Sequence, residues 1–133
     1  IQYLCIDTTP TIELEKDATL LTYKLQLKQI LQNLITNAIK FRRKDTPLVI
    51  KIDTENINGS IIFSVQDNGI GINEKYKNKI FNIFNRINPD IEGSGIGLSI
   101  CKKILINTGG DIWVESKEGE GSTFYFTFGK TNI

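Results

Sequence analysis

The stretch from Leu27 to Lys44, LKQILQNLITNAIKFRRK, constrains the fold of this chain more than any other. Leu27, Ile30, Leu31, Leu34, Ile35, Ala38 and Phe41 recur at helical spacing. At about 100° per residue they cover one face of a helix, and that face needs an apolar surface to pack on. Gln29, Asn33, Asn37, Lys40 and Lys44 form a second, polar stripe beside it. Such a stripe is commonly a solvated face. The residue types leave another reading open. Asn is poorly suited to a helix interior, because its side chain competes for backbone groups in caps and turns. Two amides and an ammonium on one line offer neutral oxygens to a metal and a positive charge to a phosphate.

The helix sits in a regular order of elements. Thr22 is the expected N-cap, and the helix is expected to run to Arg42 or Arg43, released before Pro47. Ile1 to Asp7 reads as a strand broken by Thr8, Thr9 and Pro10, with a second short strand at Thr11 to Glu15 and a turn at Lys16 to Ala18. Leu48 to Glu55 and Ser60 to Gln66 alternate as strands around Asn58-Gly59, a strong hairpin signal. Asn73 to Ile83 is weakly helical, and Asn85 to Ser94 has a loop composition. Ile96 to Asn107 is helical and stops at Gly109-Gly110. Asp111 to Ser116 and Ser122 to Phe128 are strands joined by a turn at Glu118 to Gly121. The fold class is α+β: a two-layer α/β sandwich whose mixed, mainly antiparallel sheet is covered on one face by helices.

Composition narrows the function. A length of 133 residues suits one domain with one core. A net charge of +1 implies no general attraction to nucleic acid or to an anionic membrane. No apolar run approaches a membrane span, so direct membrane insertion by this segment is not expected. Cys5 and Cys101 are far apart, fit no metal spacing and read as reduced core residues of a cytoplasmic chain. The sequence contains no Met, as expected of a domain taken from a larger protein. It also contains no His, which removes the commonest general base and any phosphohistidine acceptor.

Two glycine-rich boxes carry the chemistry. Asp67-Asn68-Gly69-Ile70-Gly71 comes straight off a strand. It reads either as an Asn-Gly turn or as a carboxylate fixed at a strand end and aimed into a pocket. A carboxylate accepts hydrogen bonds only, which suits an exocyclic amine such as that of adenine, and the glycines would let backbone approach a flat ring. Gly93-Ser94-Gly95-Ile96-Gly97-Leu98 opens a helix. It is neither a P-loop, for want of a Lys, nor a dinucleotide fingerprint, for want of a preceding strand. It is either a loop glycine cluster or a set of backbone N–H groups presented to phosphates at a helix N-terminus. Between the boxes, Arg86 is either a solvated charge or a phosphate clamp.

Taken together, these residues resemble the catalytic ATP-binding domain of bacterial sensor histidine kinases. Those domains share an ATPase superfamily with DNA gyrase, the large heat-shock chaperone and the mismatch-repair ATPases. QNLITNAIKF resembles the N box, DNGIGI the G1 box, IFNIFNRI the F box and GSGIGLSICKKIL the G2 box, while GGDIWVES and GEGSTFYFTF resemble the closing hairpin. The resemblance covers about Leu20 to Phe128 and implies a Bergerat-type ATP-binding fold. It also implies roles. Asn37 would bind the Mg²⁺ that bridges the ATP phosphates, with Asn33 nearby, Lys40 on phosphate and Phe41 near the adenine. Asp67 would read the adenine amine, with Gly69, Gly71 and Ile72 shaping the floor and Thr123 helping to fix Asp67 or a bridging water. Asn73 to Gly93 would be a lid, and Arg86, Ser94, Gly95, Ile96, Gly97 and Leu98 would sit at the nucleotide. The reaction implied is transfer of the γ-phosphoryl of Mg-ATP to a His on a separate helical dimerisation domain of the same protein, with a response regulator downstream.

The resemblance has departures. Thr22-Tyr23 stands where Gly-Asp is usual, Thr108 where His is common, and Arg42, Arg43 and Lys44 follow Phe41 where Thr or Ser is usual. Hydrolase relatives place a Glu where this chain has Asn33, and an amide cannot act as a base. That favours transfer to a protein over hydrolysis. The alternatives are an anti-sigma-type serine kinase and a non-catalytic nucleotide-binding module.

Overall fold

The computed structural model describes residues 4–8, 23–82 and 97–129, the first of these as backbone only. Its elements in order are β1 (Leu4–Thr8), α1 (Lys24–Lys40), β2 (Leu48–Ile57), β3 (Ser60–Asp67), a single 3-10 turn (Glu74–Tyr76), α2 (Gly97–Asn107), β4 (Asp111–Lys117) and β5 (Gly121–Thr127). The strands form one five-stranded sheet in the order β1-β2-β3-β5-β4. β1 pairs with β2 in parallel, and every other pair is antiparallel, so the sheet is mixed and mainly antiparallel.

Alternation along the strands decides which face is covered. Ile50, Phe63, Val65, Ile112, Phe124 and Phe126 are buried, and they meet Ile30, Leu34 and Ala38 of α1 and Cys101 and Leu105 of α2 in one core. Phe63 and Phe126 are cross-strand partners and stack with ring centroids 4.8 Å apart. Burial of each such ring contributes about 1.5–3 kcal/mol, and truncating Phe126 to Ala would cost about 3–5 kcal/mol. The residues between them face the other way. There Trp113 stacks on Tyr125 at 5.7 Å, on a face no described helix covers.

The helix ends differ from the sequence expectation, each for a physical reason. The N-cap of α1 is Tyr23, which makes no side-chain cap bond. Its ring stacks on Phe128 at 5.0 Å, so packing holds the first turn in place of a hydroxyl cap. The helix stops at Lys40, short of Arg42, because the Phe41 carbonyl accepts the Ile70 N–H at 3.0 Å from a neighbouring loop. Lys44 therefore leaves the polar stripe. At the end of α2, Gly110 N–H donates to Leu105 O and Gly109 N–H to Ile106 O, a Schellman closure. The β2–β3 hairpin turns on Asn58 and Gly59 with φ of 53° and 84°. Of Asn73 to Ile83, read as weakly helical, the described part, Asn73 to Asn82, holds a single 3-10 turn, begun by the Asn73 carboxamide accepting the Lys75 N–H at 3.1 Å.

The strand expected at Thr11 to Glu15, the turn at Lys16 to Ala18, the cap Thr22 and the loop Asn85 to Ser94 lie outside the described residues. Among the described residues no helix is long and apolar enough to cross a membrane.

Candidate nucleotide-binding site

Asp67 ends β3 on the helix-covered side, the side of Phe63 and Val65. Its neighbour Asn68 extends the sheet beyond it. The Asn68 Oδ1 accepts the Val49 N–H at 2.9 Å, and its Nδ2 donates to Pro47 O at 3.0 Å. The chain then turns into a loop, and among the described residues no strand follows it before α2, so the hairpin reading of Asn68-Gly69 does not hold. Asp67 Oδ1 accepts the backbone N–H of Gly69 at 2.9 Å and of Ser122 at 3.3 Å. No described residue donates to Oδ2. Burial pushes the Asp67 carboxyl above its ordinary range, and the two backbone N–H groups only partly offset this. The result is an oriented acceptor with one oxygen left over.

Close backbone contacts hold the loop after Asp67 from both sides. On one side Ile70 N–H donates to Phe41 O at 3.0 Å, and Arg43 Nε donates to Gly69 O at 3.3 Å. A Cβ on Gly69 would stand 2.5 Å from that Phe41 oxygen. On the other side Gly119 N–H donates to Ile70 O at 2.7 Å, and Ile72 N–H to Ser116 Oγ at 2.8 Å. Gly71 has a φ of +75°, and a Cβ there would overlap the Lys117 carbonyl. Gly121 has a φ of +114°, and a Cβ there would overlap the carbonyl of Asp67 itself. Only glycine allows these strand ends to approach so closely. Ile72 is buried and closes the floor against the core.

Thr123 does not belong to this corner. The β3–β5 register pairs Asp67 with Ser122 and Gln66 with Thr123. Ser122 shares the face of Phe124 and Phe126, so Thr123 faces the opposite side of the sheet. The residue beside Asp67 is Ser122, one position earlier. The signal was in the sequence: in STFYF, the alternation that buries Phe124 and Phe126 also buries Ser122. Ser116, Gly121 and Arg43 were also missed. Each acts through contacts far apart in sequence, which no local pattern reveals.

The polar stripe of α1 is built differently. Asn33 is half-buried, and its Nδ2 donates to the thiol of Cys101 at 3.6 Å, which ties α1 to α2. Burial pushes that thiol up to about 11, so it stays neutral and unreactive. Asn37 is half-buried, one turn on, and no described residue pairs with its amide. Lys40 is exposed and Phe41 half-buried. Gly97 begins α2, and Leu98 packs against the core in the same turn. Arg86, Ser94, Gly95 and Ile96 lie outside the described residues.

These residues fit a magnesium nucleotide. Asp67 has a free acceptor oxygen beside a floor kept open by glycine, which suits a flat base carrying an amine. Among the described residues no group of three or more His, Cys, Asp or Glu could hold a metal alone. Mg²⁺ needs few protein ligands when phosphates supply the rest, and the Asn37 amide oxygen is available for that.

Comparison with known proteins gives the family. The model of the histidine kinase-, DNA gyrase B- and HSP90-like ATPases matches residues 22–132. Cyanobacterial phytochrome A of Nostoc sp. (strain PCC 7120 / SAG 25.82 / UTEX 2576) is 50% identical over 111 residues, covering 82% of this chain and 14% of the phytochrome. The chain thus spans about a seventh of that relative's length. The nucleotide-free catalytic domain of histidine kinase ThkA superposes with a TM-score of 0.69 at 33% identity, covering 95% of this chain and 78% of that one. Full-length ShkA in complex with AMPPNP gives 0.70 at 27% identity, covering 98% of this chain and 26% of ShkA. The chain belongs to the histidine kinase-, DNA gyrase B- and HSP90-like ATPase family, and its fold is that of a histidine kinase catalytic domain.

Proposed function

We propose that residues 1–133 form the ATP-binding catalytic module of a longer, multidomain histidine kinase. It binds Mg-ATP and presents the γ-phosphoryl to a His on a separate helical dimerisation domain of the same protein, and the phosphoryl then passes to a response regulator. The observation that carries this reading is the Asp67 corner: a half-buried carboxylate fixed by two backbone N–H groups, with one oxygen free above a glycine-lined floor. The likeness to ShkA, a protein seen with AMPPNP, supports a triphosphate in that place.

In this reading Asp67 and the Gly69–Ile72 loop hold the adenine. Asn37 and Lys40 orient the phosphates, and Gly97 and Leu98 bring the first turn of α2 towards them. Mg²⁺, when bound, would draw charge from the phosphates and hold them in line. Phosphoryl transfer asks a protein mostly for such positioning and charge neutralisation. Asn33 cannot take a proton from water, and loss of a general base slows hydrolysis by about 10²–10⁴-fold. Bound ATP is therefore kept for the acceptor. ATP also places the module on the cytoplasmic side of any membrane the full protein meets.

The test is incubation with γ-labelled ATP, with and without the helical acceptor domain as a separate chain. Acid-labile label on the acceptor domain alone, with slow phosphate release in its absence, is the expected result. Acid-stable label would mean a Ser acceptor, and rapid phosphate release without the acceptor would mean a hydrolase. ATP binding with no transfer to any acceptor would mean a non-catalytic nucleotide-binding module. Any of these three overturns the reading.

A further inference from the structure

Ser116 lies on β4 at the end of GGDIWVES, with no role in the proposed nucleotide reading, yet its hydroxyl is the most connected side chain near Asp67. Ile72 N–H donates to Ser116 Oγ at 2.8 Å. Ser116 Oγ donates to Gly121 O at 2.9 Å. Ser116 Oγ and Ser122 Oγ are 2.7 Å apart, and Ser122 is buried. A hydroxyl has one proton and two lone pairs, so the directions can be counted. The Gly121 carbonyl can only accept, which uses the Ser116 proton. The Ile72 N–H can only donate, which uses one Ser116 lone pair. The proton between the two serines must then come from Ser122.

This count has a consequence for Asp67. Ser122 is its cross-strand partner on the same face, and such partners stand close enough for their side chains to meet. With its proton turned to Ser116, Ser122 has none for the Asp67 carboxylate. The backbone N–H groups of Gly69 and Ser122 are already engaged on Oδ1. The corner therefore presents acceptors only, and the free oxygen of Asp67 must find its donor on the ligand.

We propose that Ser116 is a positioning residue that sets base selectivity: by holding the Ser122 proton away from Asp67, it keeps the corner selective for a purine with a 6-amine over one with a 6-oxo group. The proposal rests on the reading of Asp67 as the base acceptor. In Ser116→Ala the Ser122 hydroxyl is free to turn to Asp67. Its one proton then occupies the Asp67 oxygen that the ligand amine needs, which weakens a 6-amino purine, while a 6-oxo purine has no donor there to lose.

The test is the ratio of affinities for ATP and inosine triphosphate, measured by titration calorimetry on the 133-residue chain. Wild type is expected to prefer ATP, and Ser116→Ala to lower that preference about tenfold, the scale of one hydrogen bond to a charged group. Ser116→Thr, which keeps the hydroxyl, is expected to retain the preference. Adding Ser122→Ala to Ser116→Ala removes the competing hydroxyl and should restore it. A merely structural Ser116 would weaken both nucleotides alike, and that outcome, or an unchanged ratio, overturns the proposal. Should Ser116→Ala fail to fold, Ser122→Ala alone decides. It removes a hydroxyl that never donated to Asp67, so the ratio is expected to persist whatever happens to affinity, and its collapse overturns the proposal. If wild type shows no preference, or Asp67→Asn leaves the preference intact, the reading of Asp67 itself is wrong and this proposal falls with it.

Discussion

The Asp67 corner and the polar stripe of α1, which the proposed function assigns to one site, are built in opposite ways. The corner is made by main chain. Asp67, Gly71 and Gly121 are locked by backbone contacts that reach from α1 to the β4–β5 turn. The stripe is made by side chains on one regular helix: Asn37 and Lys40 have no described side-chain partner, and Asn33 has a single weak one. A corner of the first kind is preorganised, and its geometry exists before the ligand arrives. In the proposed reading a stripe of the second kind is completed by the ligand, whose charge would order it. The base would be read by a rigid feature and the phosphates by an adaptable one.

The largest effect should come from the corner's backbone. Gly121→Ala sets a side chain at a φ of +114° against the Asp67 carbonyl, so a loss of at least about 3 kcal/mol is expected, read by denaturant unfolding. Gly97→Ala, at the proposed phosphate end, puts its Cβ where no described residue lies within 4 Å, and its unfolding midpoint should stay near that of wild type. Equal losses at the two positions would break the comparison.

Asp67→Asn comes next. The fold should hold, while ATP affinity drops by about 1.5–3 kcal/mol, the worth of a hydrogen bond to a charged group. Calorimetric affinity equal to wild type would remove the corner from nucleotide recognition.

Acidity probes the same carboxyl more gently. Burial raises the folded-state pKa of Asp67 above 3.8. Between 3.8 and that raised value the folded chain binds more protons than the unfolded one, so this group's contribution to ligand-free stability falls as pH rises through the window. In the proposed reading ATP needs the ionised form, so its affinity should fall as pH drops through the same window. Asp67→Asn should flatten both trends. A pH series of unfolding and binding on the two proteins checks this, and parallel curves would exclude Asp67 as their source.

The smallest effect is expected at Asn37. Asn37→Ala should reduce the factor by which Mg²⁺ tightens ATP binding, a modest change because Mg²⁺ keeps most of its waters. An undiminished factor would make Asn37 part of a solvated helix face.

The sequence made the two regions unequally legible. The α1 stripe was readable because helical spacing alone sets it, and only Lys44 was misplaced, since the helix end is fixed by a bond from the distant Ile70. The strands were readable through alternation, and the hairpin through Asn58-Gly59. Asp67 and its glycines were visible as a motif. What held them was not, because Ser116, Gly121 and Ser122 reach Asp67 through strand register, and register is a tertiary fact. The slip from Ser122 to Thr123 shows the cost: one residue along a strand turns the side chain to the other face. Tyr23 was missed as a cap for a similar reason, since its partner Phe128 comes from the far end of the described chain.

The division of labour is tested most directly by titrating adenosine, which carries the base without phosphates, into wild type, Asp67→Asn and Asn37→Ala by calorimetry. The expected result is adenosine binding lost in Asp67→Asn and equal to wild type in Asn37→Ala. Equal loss in both variants would contradict the account, because the base and phosphate regions would then be one inseparable site.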